Sequence, residues 1–146
     1  MNRLLLLAGL CLSLLTTHYI PAIAGESDEQ EVCDTKVPLT VEKDSDPQYA
    51  GLVGQVKAGN WNYEGGSFCA AVIIHKIVGG VVQATYAQAR TPSGRPPQST
   101  PFNGTISGNM LQLKNPNLQI TFYLKGGVWD GQFLSNQGGH MKGTFR

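Results

Sequence analysis

The stretch Trp129-Asp130-Gly131-Gln132-Phe133 constrains this chain more than any other, because its outline recurs as Phe102-Asn103-Gly104-Thr105-Ile106 and as Met141-Lys142-Gly143-Thr144-Phe145. Each copy reads apolar, polar, Gly, polar, apolar. A two-residue period puts both large apolar residues and the glycine on one face of a strand, and the polar residues on the other. Glycine weakens a strand. Gly104, Gly131 and Gly143 at the centres of buried faces therefore imply a sheet curled so tightly that backbone or an aromatic ring needs the missing Cβ volume. A small closed barrel has that need.

The rest of the chain from Ala58 onward supports it. Charges thin out, β-branched and aromatic residues rise, and eight strands are predicted: Ala58–Tyr63, Phe68–Val78, Val81–Ala89, Phe102–Ile106, Met110–Lys114, Leu118–Lys125, Val128–Leu134 and His140–Phe145. Gly79-Gly80 and Gly126-Gly127 are two-residue glycine connections suited to tight hairpins, and Ser107-Gly108-Asn109 is nearly as short. Nothing reads as a long helix. Hairpin-length connections make successive strands antiparallel neighbours, so the expected fold is all-β, a small antiparallel up-and-down barrel of residues 58–146. Alternate connections lie at opposite ends of such a barrel, giving a tight end and a mouth whose longest loop is Arg90–Pro101. Large inward residues, Phe122, Trp129 and Phe133 among them, are enough to fill an eight-stranded interior, so a packed core without a deep pocket is expected.

Residues 1–24 read as a signal peptide: Arg3 precedes the apolar run Leu4–Leu15, and Ala22-Ile23-Ala24 is a small-x-small cleavage pattern. The run is too short to span a bilayer, and no membrane insertion is expected. A lipoprotein reading around Cys11 is disfavoured by Leu10, where a small residue belongs. Export to the bacterial periplasm or medium leaves Cys33 and Cys69, an even pair that reads as one disulfide. With only His75 and His140 scattered beside them, no metal-ligand spacing exists, and no cofactor is implied.

Charge is divided along the chain. Residues 25–47 carry eight acids against two bases, while residues 48–146 carry only Glu64 and Asp130 against eight bases. Residues 25–57 therefore read as an acidic, mostly irregular leader, with a short strand near Val37–Val41 and a turn or short helix within Gln48–Val56. Two states are open to it: a solvated tail, or a segment folded back on the basic domain.

Gly59-Asn60-Trp61 resembles the Gly-x-Trp opening of calycin barrels such as lipocalins and avidin-like proteins. That resemblance implies that Trp61 closes the tight end with a basic residue of the last strand, Arg146, packed on it. Ala58–Arg146 also resembles a small secreted β-barrel domain of proteobacterial proteins, through Tyr86-Ala87, Phe102-x-Gly104-x-Ile106 and the closing Gly143-x-Phe145. That family brings no activity with it. Periplasmic metallopeptidase inhibitors share Gly-x-Trp followed by a cysteine, as Trp61 and Cys69 stand here, but their second cysteine follows within the barrel whereas Cys33 precedes it. The Ser-Gly-x-x-Tyr loop of lysozyme inhibitors is absent.

Catalysis has little to work with. Glu64 and Asp130 are the only acids of the domain, and paired acid–base chemistry needs two groups converging on one cleft. His75 reads as a structural histidine on a strand face. Export and scattered bases argue against nucleic acid. The expected function is therefore non-enzymatic binding at a basic, loop-rich mouth, with Arg90, Arg95, Lys114 and His140 as candidate binding residues. The expected partner is a protein or small anionic ligand. The alternative is inhibition of a peptidase or other hydrolase.

Overall fold

A computed structural model of the chain describes residues 28–146; the predicted signal peptide lies outside the described residues. A hairpin of β1 (Glu29–Val32) and β2 (Thr35–Pro38) and a 3-10 turn at Pro47–Tyr49 precede the barrel. Its strands are β3 (Val56–Tyr63), β4 (Gly66–Val78), β5 (Val81–Gln88), β6 (Gln98–Ser107), β7 (Met110–Asn115), β8 (Leu118–Lys125), β9 (Val128–Ser135) and β10 (His140–Phe145). Each pairs antiparallel with the next, and β10 pairs with β3 to close an eight-stranded barrel. The fold is the expected one. The main shift in boundaries is β6, which starts at Gln98 rather than Phe102 and carries Pro101 opposite Thr85.

The recurring glycines do what their spacing required. Gly143 stands opposite both Trp61 and Gly131 in the ladder. A Cβ on Gly131 would lie 2.7 Å from Trp61 Cη2, and one on Gly143 would lie 3.0 Å from Trp61 Cε3 and from Phe145 Cε2. Trp61 thus lies over a floor of glycines. Backbone is close as well: the nearest atom to a Cβ on Gly143 would be the Asn60 carbonyl oxygen at 2.5 Å, and at Gly104 it would be the carbonyl of Gln112. The indole of Trp61 packs edge-on against Phe145 at 4.9 Å, and Phe122 meets Phe145 at 5.0 Å. Trp129 is also fully buried, with the Lys57 ammonium 5.7 Å from its ring centroid.

Trp61 Nε1 donates to the hydroxyl of Tyr86 at 2.8 Å, joining β3 to β5 through the core. Burial pushes the Tyr86 phenol well above its ordinary value of 10.0, against a smaller opposite effect from the Trp61 hydrogen bond. A phenol that resists ionisation in the folded state while ionising normally in the unfolded chain contributes stability in full below about pH 10. That stability falls as pH rises from there toward the folded-state value. Tyr86→Phe should cost about 1–3 kcal/mol at neutral pH, because Trp61 Nε1 loses its buried acceptor. The variant should also show a shallower loss of stability above about pH 10, measured by urea unfolding across pH. Parallel pH curves for the two proteins would contradict this.

The acidic segment folds back along the barrel wall. Cys33 is bonded to Cys69 of β4, with Cα atoms 5.3 Å apart. Val37 is wholly buried against Ala71, Ile73 and Ala87, so β4 is covered on its outer face as well as its inner one. Because β4 outruns β3, its far end would present unpaired backbone. The leader satisfies it: Glu42 N–H donates to the His75 carbonyl, Asp46 N–H to that of Ile77, and Gly54 N–H to that of Ile74. His75 is the extra residue of a β-bulge between Ile74 and Lys76. Its Nδ1–H donates to the Thr40 carbonyl at 2.7 Å, which leaves Nε2 to accept from the Thr85 hydroxyl at 2.8 Å. It is a structural histidine.

The calycin-type closure expected of Trp61 and Arg146 is corrected. Trp61 lies late in β3, at mid-barrel, and Arg146 is an exposed residue whose backbone pairs with Ala58. Tyr49, the last residue of the 3-10 turn, and Leu52 and Val53 just after it pack on the core where β4 outruns β3. The leader supplies this packing.

Candidate functional site

The connections alternate between the barrel ends. Gly79-Gly80, Gly108-Asn109 and Gly126-Gly127 are the tight end. The mouth carries Glu64-Gly65, Ala89–Pro97, Pro116-Asn117 and Asn136–Gly139. Extension of β6 to Gln98 shortens the principal loop from the expected Arg90–Pro101. What remains is braced internally. Thr91 N–H donates to the Arg95 carbonyl at 3.0 Å, Gly94 N–H to that of Thr91 at 2.8 Å, and Arg95 N–H to Thr91 Oγ1 at 3.1 Å.

Between this loop and the opposite turns lies a half-open cup of about 660 Å³. The expectation of an interior without a deep pocket holds below the cup, where Trp61, Phe122, Trp129 and Phe145 are fully buried, and fails above it. The difference lies in what the residues nearest the rim are. Inward positions there are taken by Gln88, Gln98 and Asn115, and by Tyr63, Phe68 and Phe133, rather than by a full layer of aliphatic side chains. Phe133 is 5.7 Å from Trp61, so the packed core begins directly beneath it.

The cup is apolar at its base and polar at its rim. Phe68, Phe133, Leu118 and Met141 belong to the core cluster or pack on it, while Thr91, Ser93, Asn117, Asn136 and Gln137 line the cup from the loops. Several polar groups are already oriented. Asn115 Oδ1 accepts from the Asn117 N–H at 2.9 Å, Asn136 Nδ2 donates to Asn117 Oδ1 at 3.2 Å, and Ser135 Oγ accepts from the Gly139 N–H at 2.8 Å.

The four candidate bases do not converge. Arg95 lines the cup. Arg90 is exposed on the same loop, its guanidinium 3.5 Å from the Gly94 carbonyl. Lys114 and His140 are exposed next to Leu113 and Met141, which point inward, so strand alternation turns both to the outer wall. The mouth carries one cation facing the cup rather than a basic cluster. Nor does the acidic leader compete for it, since its contacts run along β4 and the tight end. The residues that line the cup but were missed as a site are its amides and aromatics. Their signal was present in Tyr63, two positions from the inward Trp61, and in Gln88, two positions from the inward Tyr86.

Among the described residues, no cluster of three or more His, Cys, Asp or Glu side chains is placed to hold a metal ion. No family model, curated protein or solved structure matches the chain.

Proposed function

We propose that this is an exported, non-enzymatic binding protein that takes a small polar ligand into the cup at the barrel mouth. The observation that carries the proposal is the cup itself. Its volume of about 660 Å³ falls within the roughly 300–1,000 Å³ of sites that enclose small molecules, and it combines an apolar base with convergent polar groups. Of the side chains that usually serve in general acid–base work only Tyr63 lines it, with no carboxylate or histidine beside it, which supports a binding reading. The Cys33–Cys69 bond fits the oxidising periplasm or medium that the N-terminal sequence implies. No helix among the described residues is long and apolar enough to cross a membrane. The barrel's apolar inside and polar outward residues, such as Lys114 and Lys142, are the reverse of a lipid-facing barrel.

In a thermal-shift screen of the oxidised protein against small polar compounds, a ligand at ten times its Kd should add about 1.4 kcal/mol. For a domain of this size that raises Tm by about 5 °C. Arg95→Ala should weaken the hit about tenfold, as loss of one charge-assisted hydrogen bond. Lys114→Ala and His140→Ala should leave it unchanged. A hit weakened by the outer-wall variants and indifferent to Arg95 would place binding elsewhere.

The braced loop Thr91–Arg95 favours a second reading, inhibition of a peptidase or other hydrolase, because a loop held by its own hydrogen bonds can be presented with little ordering cost. Stoichiometric inhibition of a hydrolase, lost when Thr91–Arg95 is replaced by a glycine linker, together with an empty ligand screen, would select it.

A further inference from the structure

We infer that the ligand of the cup is a short, uncharged saccharide, an inference that rests on the mouth being the binding site and goes on to its chemistry. Six side-chain amides, Gln88, Gln98, Asn115, Asn117, Asn136 and Gln137, line one cavity with Arg95 as its only charged neighbour. A primary amide presents donors and an acceptor side by side, which is the pattern that adjacent sugar hydroxyls present in return. A carboxylate-rich ligand would instead be met by several cations and an amine by carboxylates, and the cup has one cation and no carboxylate.

The base of the cup fits the other half of a sugar. A pyranose ring is polar around its edge and apolar on its C–H faces, so it can lay a face on Tyr63, Phe68 or Phe133 while its hydroxyls reach the amides. The packed core beneath argues against a long acyl chain. Phe133 rests on Trp61 at 5.7 Å and Trp61 is wholly buried, so no tunnel continues below. An apolar ligand confined to the cup would also leave amides dehydrated without partners, at about 1–3 kcal/mol for each buried group. Part of the ordering is done before the ligand arrives, because Asn115 and Asn117 are held by bonds at 2.9 and 3.2 Å.

The test presents the oxidised protein to an array of neutral di-, tri- and tetrasaccharides and maps the hits by NMR on isotope-labelled protein, with sodium decanoate and a Glu-rich peptide as parallel probes. At least one saccharide is expected to shift the side-chain amide resonances of the cup, with a Kd that is insensitive to salt. The double variant Gln98→Ala/Gln137→Ala, both exposed positions, should bind it roughly tenfold more weakly and keep its fold. If decanoate or the peptide shifts the cup and no saccharide does, the ligand class is wrong and the mouth stands as the site. If no probe moves the cup, or a saccharide binds without moving it, the mouth reading falls as well.

Discussion

The double variant Cys33→Ser/Cys69→Ser is expected to lose about 4 kcal/mol, the chain-entropy value for a bond closing 36 residues. That corresponds to a Tm lower by on the order of 15 °C. The loss should be accompanied by a change of state. With the bond gone, the β1–β2 hairpin is held to the wall chiefly by Val37, and its release bares Ala71, Ile73 and Ala87. Limited proteolysis should then cut within residues 28–45 and leave the barrel strands protected, because their ladder closes on itself without the leader. Equal Tm and equal protease resistance in the reduced-type variant and the parent would show that the bond holds nothing in place.

Gly131→Leu is the second large effect. Even its Cβ would stand 2.7 Å from Trp61 Cη2 and 2.9 Å from Cζ3, against a ring that is wholly buried and tied to Tyr86. The indole has little room to move, since Phe122, Phe133 and Phe145 surround it. Overpacking of this kind costs about 1–3 kcal/mol or more, and the branched side chain puts the expected loss at or above about 3 kcal/mol. Gly108→Leu serves as the control in an open turn, where a Cβ meets nothing within 4 Å although the positive φ adds its own modest strain. Urea unfolding that ranks the two variants equally would contradict the glycine floor.

The barrel was legible because its information is local. Paired glycines mark hairpins and two-residue alternation marks faces, so seven connections and the antiparallel order follow from short windows of sequence. The start of β6 was hidden by Pro92, Pro96, Pro97 and Pro101, which read as one loop although Pro101 is accommodated opposite Thr85. Docking of the leader was hidden for a different reason: strands of four residues have too little pattern to show a buried face. The sign of it lay in the partner. Ala70 to Ile74 are buried without alternation, as in a strand covered on both faces. The Trp61–Arg146 contact failed because β3 begins at Val56, which puts Trp61 at mid-barrel. The basic mouth failed because nearness to a barrel end was weighed without facing: Lys114 follows an inward Leu113, and His140 precedes an inward Met141.

The amides of the cup carried no motif, since Asn and Gln are common in turns, and only the closed topology brings Gln88, Asn115 and Gln137 together from three separate connections.

The proposal that the mouth is the working end is tested most directly by where a co-purifying ligand binds. Small molecules released from the protein as isolated from its native source would be added back to isotope-labelled protein and their contacts mapped by NMR. The expected result is shifts at Tyr63, Gln98, Phe133 and Gln137, with Val78 and Val81 of the tight end unmoved. Shifts confined to the exposed apolar residues Val78, Val81 and Met110, with the cup silent, would contradict it.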